Sequence, residues 1–258
     1  MSIDNNNEAM PVVSVIMPVY NCARYVKEAI RSVLAQSYPH FELIVVDDGS
    51  KDETRAIVKE LAEEDGRIRL LCNPENMGVA KTRNRGLEQS VGEYVAFLDG
   101  DDVWLPEKLE RQLALMRQTG ADIVYSSYAI VDGEGRPIKE EYLVPESTDF
   151  EQLLKENVIG CSTALLRGGV ARAYRFTVDF FHEDYCMWLD MLRDGHKAAG
   201  CTQVLVNWRL ISNSRSYNKQ NSARHRWRIY RRYLKIPFFK STLLFFHYMI
   251  SGIKKYYG

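Results

Sequence analysis

The chain has 258 residues, 46% hydrophobic and 26% charged, which suits one large α/β domain with an ordinary buried core. Five scattered cysteines (Cys22, Cys72, Cys161, Cys186, Cys201) form no Cys-x-x-Cys pair, so zinc-finger and disulfide-framework readings are excluded and a reducing compartment fits. The formal charge is zero, yet all 34 acidic residues precede Gly195 while 13 Lys and Arg follow it, an asymmetry expected of a basic segment that meets an anionic partner or packs on its own acidic body.

Residues 1–10 are polar, lack the apolar stretch of a signal peptide and read as a disordered tail. Val13 to Tyr20 predicts a strand that ends in the turn Tyr20-Asn21. Helical spacing follows over Ala23 to Gln36. Phe41 to Val46 predicts a second strand running into Asp47-Asp48-Gly49-Ser50. Asp52 is placed to cap the next helix, with Asp47 a capping or positioning group for its neighbour. Ile68 to Cys72 is a third strand, Asn76-Met77-Gly78 a turn, and Val79 to Ser90 a helix.

Tyr94 to Leu98 predicts a fourth strand, and it ends abruptly in Asp99, Asp101 and Asp102. Alternate side chains of extended backbone share a face, so Asp99 and Asp101 can point the same way and offer hard oxygen ligands to a divalent cation. The other reading is an acidic turn, with Asp102 capping the helix that spans Leu105 to Arg117. Strands alternating with helices imply βαβ units and a mostly parallel sheet. Right-handed crossovers then gather Tyr20, Asp48 and Asp99 at one edge.

After Ala121 the pattern becomes mixed. Strands are expected at Ile123 to Val131, Cys161 to Leu166 and Val204 to Trp208, and a helix at Asp184 to Arg193. From Ala223 the chain is basic and aromatic. On the last helix Phe239, Leu243, Phe246, Ile250 and Ile253 form one stripe, and Lys240, His247, Ser251 and Lys254 another. The apolar stretch is too interrupted for a span, which needs ~20 apolar residues. A basic amphipathic helix in a membrane interface is favoured over one docked on the domain or on a second copy. The Arg-aromatic mixture carries no nucleic-acid-binding motif, so no nucleic-acid partner is expected.

Five stretches occur in order: 14–21 (Ser-Val-Ile-Met-Pro-Val-Tyr-Asn), 45–52 (Val-Val-Asp-Asp-Gly-Ser-Lys-Asp), 76–84 (Asn-Met-Gly-Val-Ala-Lys-Thr-Arg-Asn), 92–102 (Gly-Glu-Tyr-Val-Ala-Phe-Leu-Asp-Gly-Asp-Asp) and 182–184 (His-Glu-Asp). Together they resemble family 2 glycosyltransferases of GT-A fold, of the bacterial surface-polysaccharide type. The resemblance implies an α/β, Rossmann-like fold. Its nucleotide-binding part would span 11–120 and its acceptor part 121–222, with a basic extension at 223–258.

It further implies Pro18 and Tyr20 at the nucleotide base, Asp48 on that base, Arg83 in the nucleotide pocket, Asp99 on ribose or metal, Asp101 on metal and Asp184 as catalytic base. The metal would be manganese or magnesium and the donor uridine-linked. The basic amphipathic tail, which would hold the enzyme at the cytoplasmic face of the membrane, points to a saccharide acceptor on a polyprenyl-diphosphate lipid.

Several alternatives stay open. Glu183 competes with Asp184 as base, and Trp188 is either an acceptor platform or core. Arg83 would otherwise pair with a surface carboxylate, and Asp190 would be a surface charge. His182 or His247 could add a metal ligand, and Arg209 or Arg215 could touch phosphate from a closing loop. A nucleotidyltransferase would need a glycine-rich loop that Tyr20-Asn21-Cys22 does not supply. A non-catalytic scaffold would not need the four carboxylates.

Overall fold

A computed structural model describes residues 13–138, 141–211 and 219–257. The expected tail at 1–10, the Ser212-Asn213-Ser214 stretch, Arg215 and the side chains of Ser251, Ile253 and Lys254 lie outside the described part.

The elements run β1 (Val13–Val19), α1 (Val26–Leu34), β2 (Phe41–Asp47), α2 (Thr54–Glu64), β3 (Ile68–Cys72), α3 (Val79–Glu88), β4 (Tyr94–Phe97), β5 (Val103–Trp104), α4 (Lys108–Thr119) and β6 (Ile123–Val131). Then come β7 (Ser147–Thr148), α5 (Phe150–Lys155), β8 (Leu165–Arg167), α6 (Gly168–Ala173), α7 (Glu183–Arg193), β9 (Ala198–Arg209), α8 (Lys219–Arg228), a π turn (Ile229–Tyr233) and α9 (Phe238–Tyr257).

The sheet order is β3-β2-β1-β4-β8-β6-β9-β5, with β7 on β9. Strands β3, β2, β1 and β4 are parallel, as the alternation of apolar runs and helices predicted. The second half is mixed: β8 is antiparallel to both β4 and β6, while β9 runs parallel to β6. The chain moves outward from β1 to β3 and returns on the other side of β1 at β4. That reversal opens a crevice beyond the carboxyl ends of β1 and β4, where open α/β sheets bind ligands.

β1, β2 and β4 are buried on both faces, which is why each reads as a continuous apolar run. One face packs Val26, Ile30, Val58, Leu61, Leu109 and Leu113 from α1, α2 and α4. The other packs Leu87 of α3, Leu153 and Leu154 of α5, and Trp188 and Leu189 of α7. Ile229, Tyr230, Ile236 and Leu244 join that second cluster, so the segment after 222 completes the core.

Two expected elements are corrected. Cys161 to Leu166 is not one strand. Cys161–Thr163 is a 3-10 turn, and only Leu165–Arg167 pairs into the sheet. The turn is tied down where the Ser162 carbonyl accepts Trp104 Nε1 at 2.8 Å and the Thr163 carbonyl accepts Gln112 Nε2 at 2.7 Å. Asn207 to Arg209 is not a loop but the end of β9, so it cannot close over a ligand.

Candidate active site

The crevice is built from four turns. After β1, Asn21 takes a left-handed backbone (φ 46°), a conformation asparagine tolerates. Its amide donates to Ser50 Oγ and its side chain accepts the Lys51 amide. Asp52 accepts from the amides of Ala23 and Thr54, so it joins the β1 turn to the start of α2. Gly49 (φ +75°) lies so close to the Glu75 backbone that a Cβ would sit 2.7 Å from it, and only glycine fits.

Asp48 is buried. One carboxylate oxygen accepts Asn73 Nδ2 and the Met77 amide, and the other accepts the Gly78 amide. It therefore fixes the 73–78 loop and the start of α3 at the crevice. Asp47 holds the turn beside it: its carboxylate accepts the Ser50 amide at 3.3 Å and pairs with Arg55 at 2.7 Å. Pro18 is buried at the end of β1, and Tyr20 stands 44% exposed just beyond it.

After β4 come three carboxylates. Asp99 and Asp101 are half-buried and Asp102 is buried. Asp102 is not a helix cap: it accepts Ser162 Oγ at 2.6 Å and the Arg209 amide at 2.9 Å. Ser162 Oγ in turn accepts the Asp99 amide. Arg209 donates Nε to the Asp101 carbonyl, Nη1 to the carbonyl of Gly133 at 3.1 Å and Nη2 to Glu28. Its donors are engaged and it is buried, so it clamps the carboxylate loop and is not presented to a phosphate. Neither Ser162 nor Asn73 was legible in the sequence, because a lone polar residue outside a motif gives no signal.

Burial, with the charge of Asp99 beside it, pushes the Asp101 carboxyl up to about 6. Burial and both neighbouring carboxylates push Asp102 well above the ordinary range. The loop is short of positive charge, and its accessible oxygens are those of Asp99 and Asp101. That donor set fits a hard divalent cation that takes one or two protein carboxylates and completes its shell from a diphosphate and water. No group of three or more His, Cys, Asp or Glu gathers among the described residues. His247 sits on exposed α9 facing the Leu243 carbonyl of its own helix, so it is not drawn into this loop.

Arg83 is 4% exposed at the centre. Nη2 lies 2.5 Å from Asp99 and Nη1 2.6 Å from Glu183, so it does not pair with a surface carboxylate. Glu183 and Asp184 open α7. Glu183 is buried in that ion pair, whereas Asp184 is half-buried and its carboxylate accepts the Tyr185 amide. Burial and the charge of Glu183 raise the Asp184 carboxyl to about 6, against the pull of Arg83.

Trp188 is fully buried, with ring centres 6.4 Å from Phe97 and 6.3 Å from Phe176. It is core and cannot stack on an acceptor. Asp190 is not a free surface charge, since it accepts Tyr233 Oη and pairs with Arg193.

The family model for glycosyl transferase family 2 matches residues 14–179. The chain belongs to that family. This glycosyltransferase is 37% identical over 245 residues to Bacillus subtilis TuaG, named for teichuronic acid biosynthesis, across 95% of the chain and 97% of TuaG. It is 35% identical over 247 residues to Escherichia coli WfgD, a UDP-Glc:alpha-D-GlcNAc-diphosphoundecaprenol beta-1,3-glucosyltransferase, across 95% of each.

Among solved structures it resembles S. aureus TarS 1-349 in complex with UDP-GlcNAc (TM-score 0.70, 22% identity, 84% of this chain and 64% of that one). It also resembles the mannosyltransferase PcManGT of Pyrobaculum calidifontis in complex with GDP-Man and Mn2+ (TM-score 0.67, 20% identity, 88% and 65%). The glycosyltransferase thus has the GT-A fold and spans just under two thirds of each of those chains.

Proposed function

We propose that this glycosyltransferase moves one sugar, with inversion, from a uridine diphosphate sugar to a hydroxyl of a saccharide carried on a polyprenyl diphosphate, in surface-polysaccharide synthesis. The carrying observation is that Arg83 joins the Asp99-Gly100-Asp101 loop to Glu183, next to Asp184 at the start of α7, at the switch point of the sheet. The names of TuaG and WfgD support the pathway and the acceptor class.

In this reading the Asp48-bound loop and Tyr20 frame the base, and Asp99 and Asp101 hold the divalent cation. When bound, that cation offsets the charge growing on the leaving diphosphate. Asp184 accepts the proton of the attacking hydroxyl as the new bond to the anomeric carbon forms and the bond to the diphosphate oxygen breaks. Glu183, already committed to Arg83, leaves Asp184 as the base. Uridine diphosphate at a hundredfold its dissociation constant should stabilise the protein by about 2.7 kcal/mol in the presence of manganese. The shift should vanish in Asp101→Ala. A shift kept in that variant would remove Asp101 from the cation site, and no shift with any nucleoside diphosphate would leave the scaffold reading.

We also propose that the protein works on the cytoplasmic face of a membrane, held through α9. Among the described residues no helix is long and apolar enough to cross one. The outer face of α9 exposes Phe239 (87%), Leu243, Phe246 and Ile250, and Arg224, Arg228, Arg232 and Lys235 are exposed nearby in the chain. Apolar residues can enter the acyl boundary while the cations meet anionic headgroups. Replacing Phe239, Leu243, Phe246 and Ile250 together by serine should leave the melting temperature within a few degrees and abolish co-sedimentation with vesicles containing anionic phospholipid. Unchanged sedimentation would refute the membrane assignment.

A further inference from the structure

Arg83 ties the carboxylate loop after β4 to the start of α7. It rises from α3 in the nucleotide-binding half and is nearly sealed from solvent. Its two terminal nitrogens are divided, one to Asp99 after β4 and one to Glu183 at the start of α7, while Nε has no partner. The ring of Phe176 lies 5.4 Å below the guanidinium. A guanidinium is a rigid planar fork, so fixing one arm orients the other. Glu183 is buried, and its ion pair with Arg83 links it to Asp99.

We infer that Glu183 is a positioning residue for the donor site, acting through Arg83 on Asp99. This rests on the reading of Asp99 and Asp101 as the cation and nucleotide site. Glu183 shares the arginine's charge, so Asp99 is held in place without being neutralised and its remaining negative charge stays available to the cation. With Glu183 uncharged, Arg83 turns its whole charge on Asp99 and draws it away. A residue on the first turn of the base-bearing helix thereby sets how well the opposite half holds metal and nucleotide. The arrangement also links the two events of transfer: displacing Asp99 on donor binding pulls through Arg83 on the turn that carries Asp184.

The test is calorimetric titration of manganese into the full chain with saturating uridine diphosphate, for wild type, Glu183→Gln, Asp184→Asn and Arg83→Lys. Glu183→Gln keeps shape and one acceptor oxygen, and should weaken manganese binding about tenfold, within the usual span of coupling between sites. Asp184→Asn removes an equal charge from the adjacent position without breaking the Arg83 bridge, and should weaken binding several-fold less than Glu183→Gln does. Arg83→Lys keeps the charge but cannot bridge, and should match Glu183→Gln.

Combining Glu183→Gln with Arg83→Lys should be no worse than Arg83→Lys alone, since both break one link. Equal losses for Glu183→Gln and Asp184→Asn would reduce the effect to net charge and overturn the relay, as would wild-type affinity in Glu183→Gln. A wild type that binds no uridine diphosphate would overturn the functional reading itself. The comparison of the two isosteric variants stands even if Arg83→Lys fails to fold.

Discussion

Asp184→Asn should lower the turnover number by about 10²–10⁴-fold, the usual worth of a positioned base, while uridine diphosphate and manganese still bind. Asparagine preserves the shape at the start of α7 and keeps an oxygen for the Tyr185 amide. What it removes is the lone pair that takes the acceptor's proton. The pH dependence follows from the environment of the same carboxyl. Burial first, and Glu183 beside it, hold Asp184 at about 6. A base works only when ionised, so wild-type turnover should climb with pH through about 6 and then level.

The same shift has a stability sign. The folded carboxyl binds its proton more tightly than the unfolded one. Its contribution is present in full below the unfolded value near 4 and is lost as pH rises through about 6. Asp184→Asn should therefore be at least as stable as wild type at pH 7, with the gap closing towards pH 4. Turnover that survives in Asp184→Asn would remove Asp184 from the chemistry, and a flat profile from pH 5 to 8 would remove its titration.

The first half, β1 to β4, was legible because both faces of its central strands are covered. Val15, Val45 and Val95 have no polar face to present, so the runs announce themselves, and each ends at a turn rich in Asp, Asn or Gly. The second half obeys other constraints. Only Val204 onward reads as strand, yet β9 begins at Ala198. The first part is Ala-Ala-Gly-Cys, small residues selected by a close crossing: a Cβ on Gly200 would fall 2.0 Å from the Pro145 carbonyl oxygen.

Helical spacing put Trp188 on the face of Asp184, but spacing alone does not say how far along a helix the cover extends. The first turn of α7 opens on the crevice. One turn later the face is already under Phe97 and Phe176. Arg209 misled for a related reason. The resemblance put it on a loop closing over phosphate, and only the fold reveals the strand that holds it and the Asp101 and Gly133 carbonyls that take its donors first.

Tyr230→Ala should cost about 3–5 kcal/mol in urea unfolding, the price of emptying a large buried aromatic site. Tyr230 belongs to the basic segment whose composition suggested an appendage. It is fully buried and its hydroxyl donates to the Leu154 carbonyl of α5. Its neighbours are bound in the same way. Ile229 is fully buried, Arg226 lies with its guanidinium carbon 3.8 Å from the Tyr185 ring centre, and Tyr233 donates to Asp190 of α7. Tyr185 and Asp190 both sit on the helix that begins with Glu183 and Asp184, so the segment braces α7 from behind.

A chain ending before residue 223 would lose Ile229, Tyr230, Ile236 and Leu244 from the core, and should fail to fold cooperatively. Such a truncation therefore cannot report on membrane binding. Substitution on the outer face of α9 can, because Phe239 and Phe246 touch water while Ser241 and Leu244, each two positions away and so on the opposite face, are buried. Phe246→Ser should change stability by less than about 0.5 kcal/mol, as exposed substitutions do. If Tyr230→Ala fell in that same narrow range, the segment would be a detachable tail after all, and the two faces would have to be assigned anew.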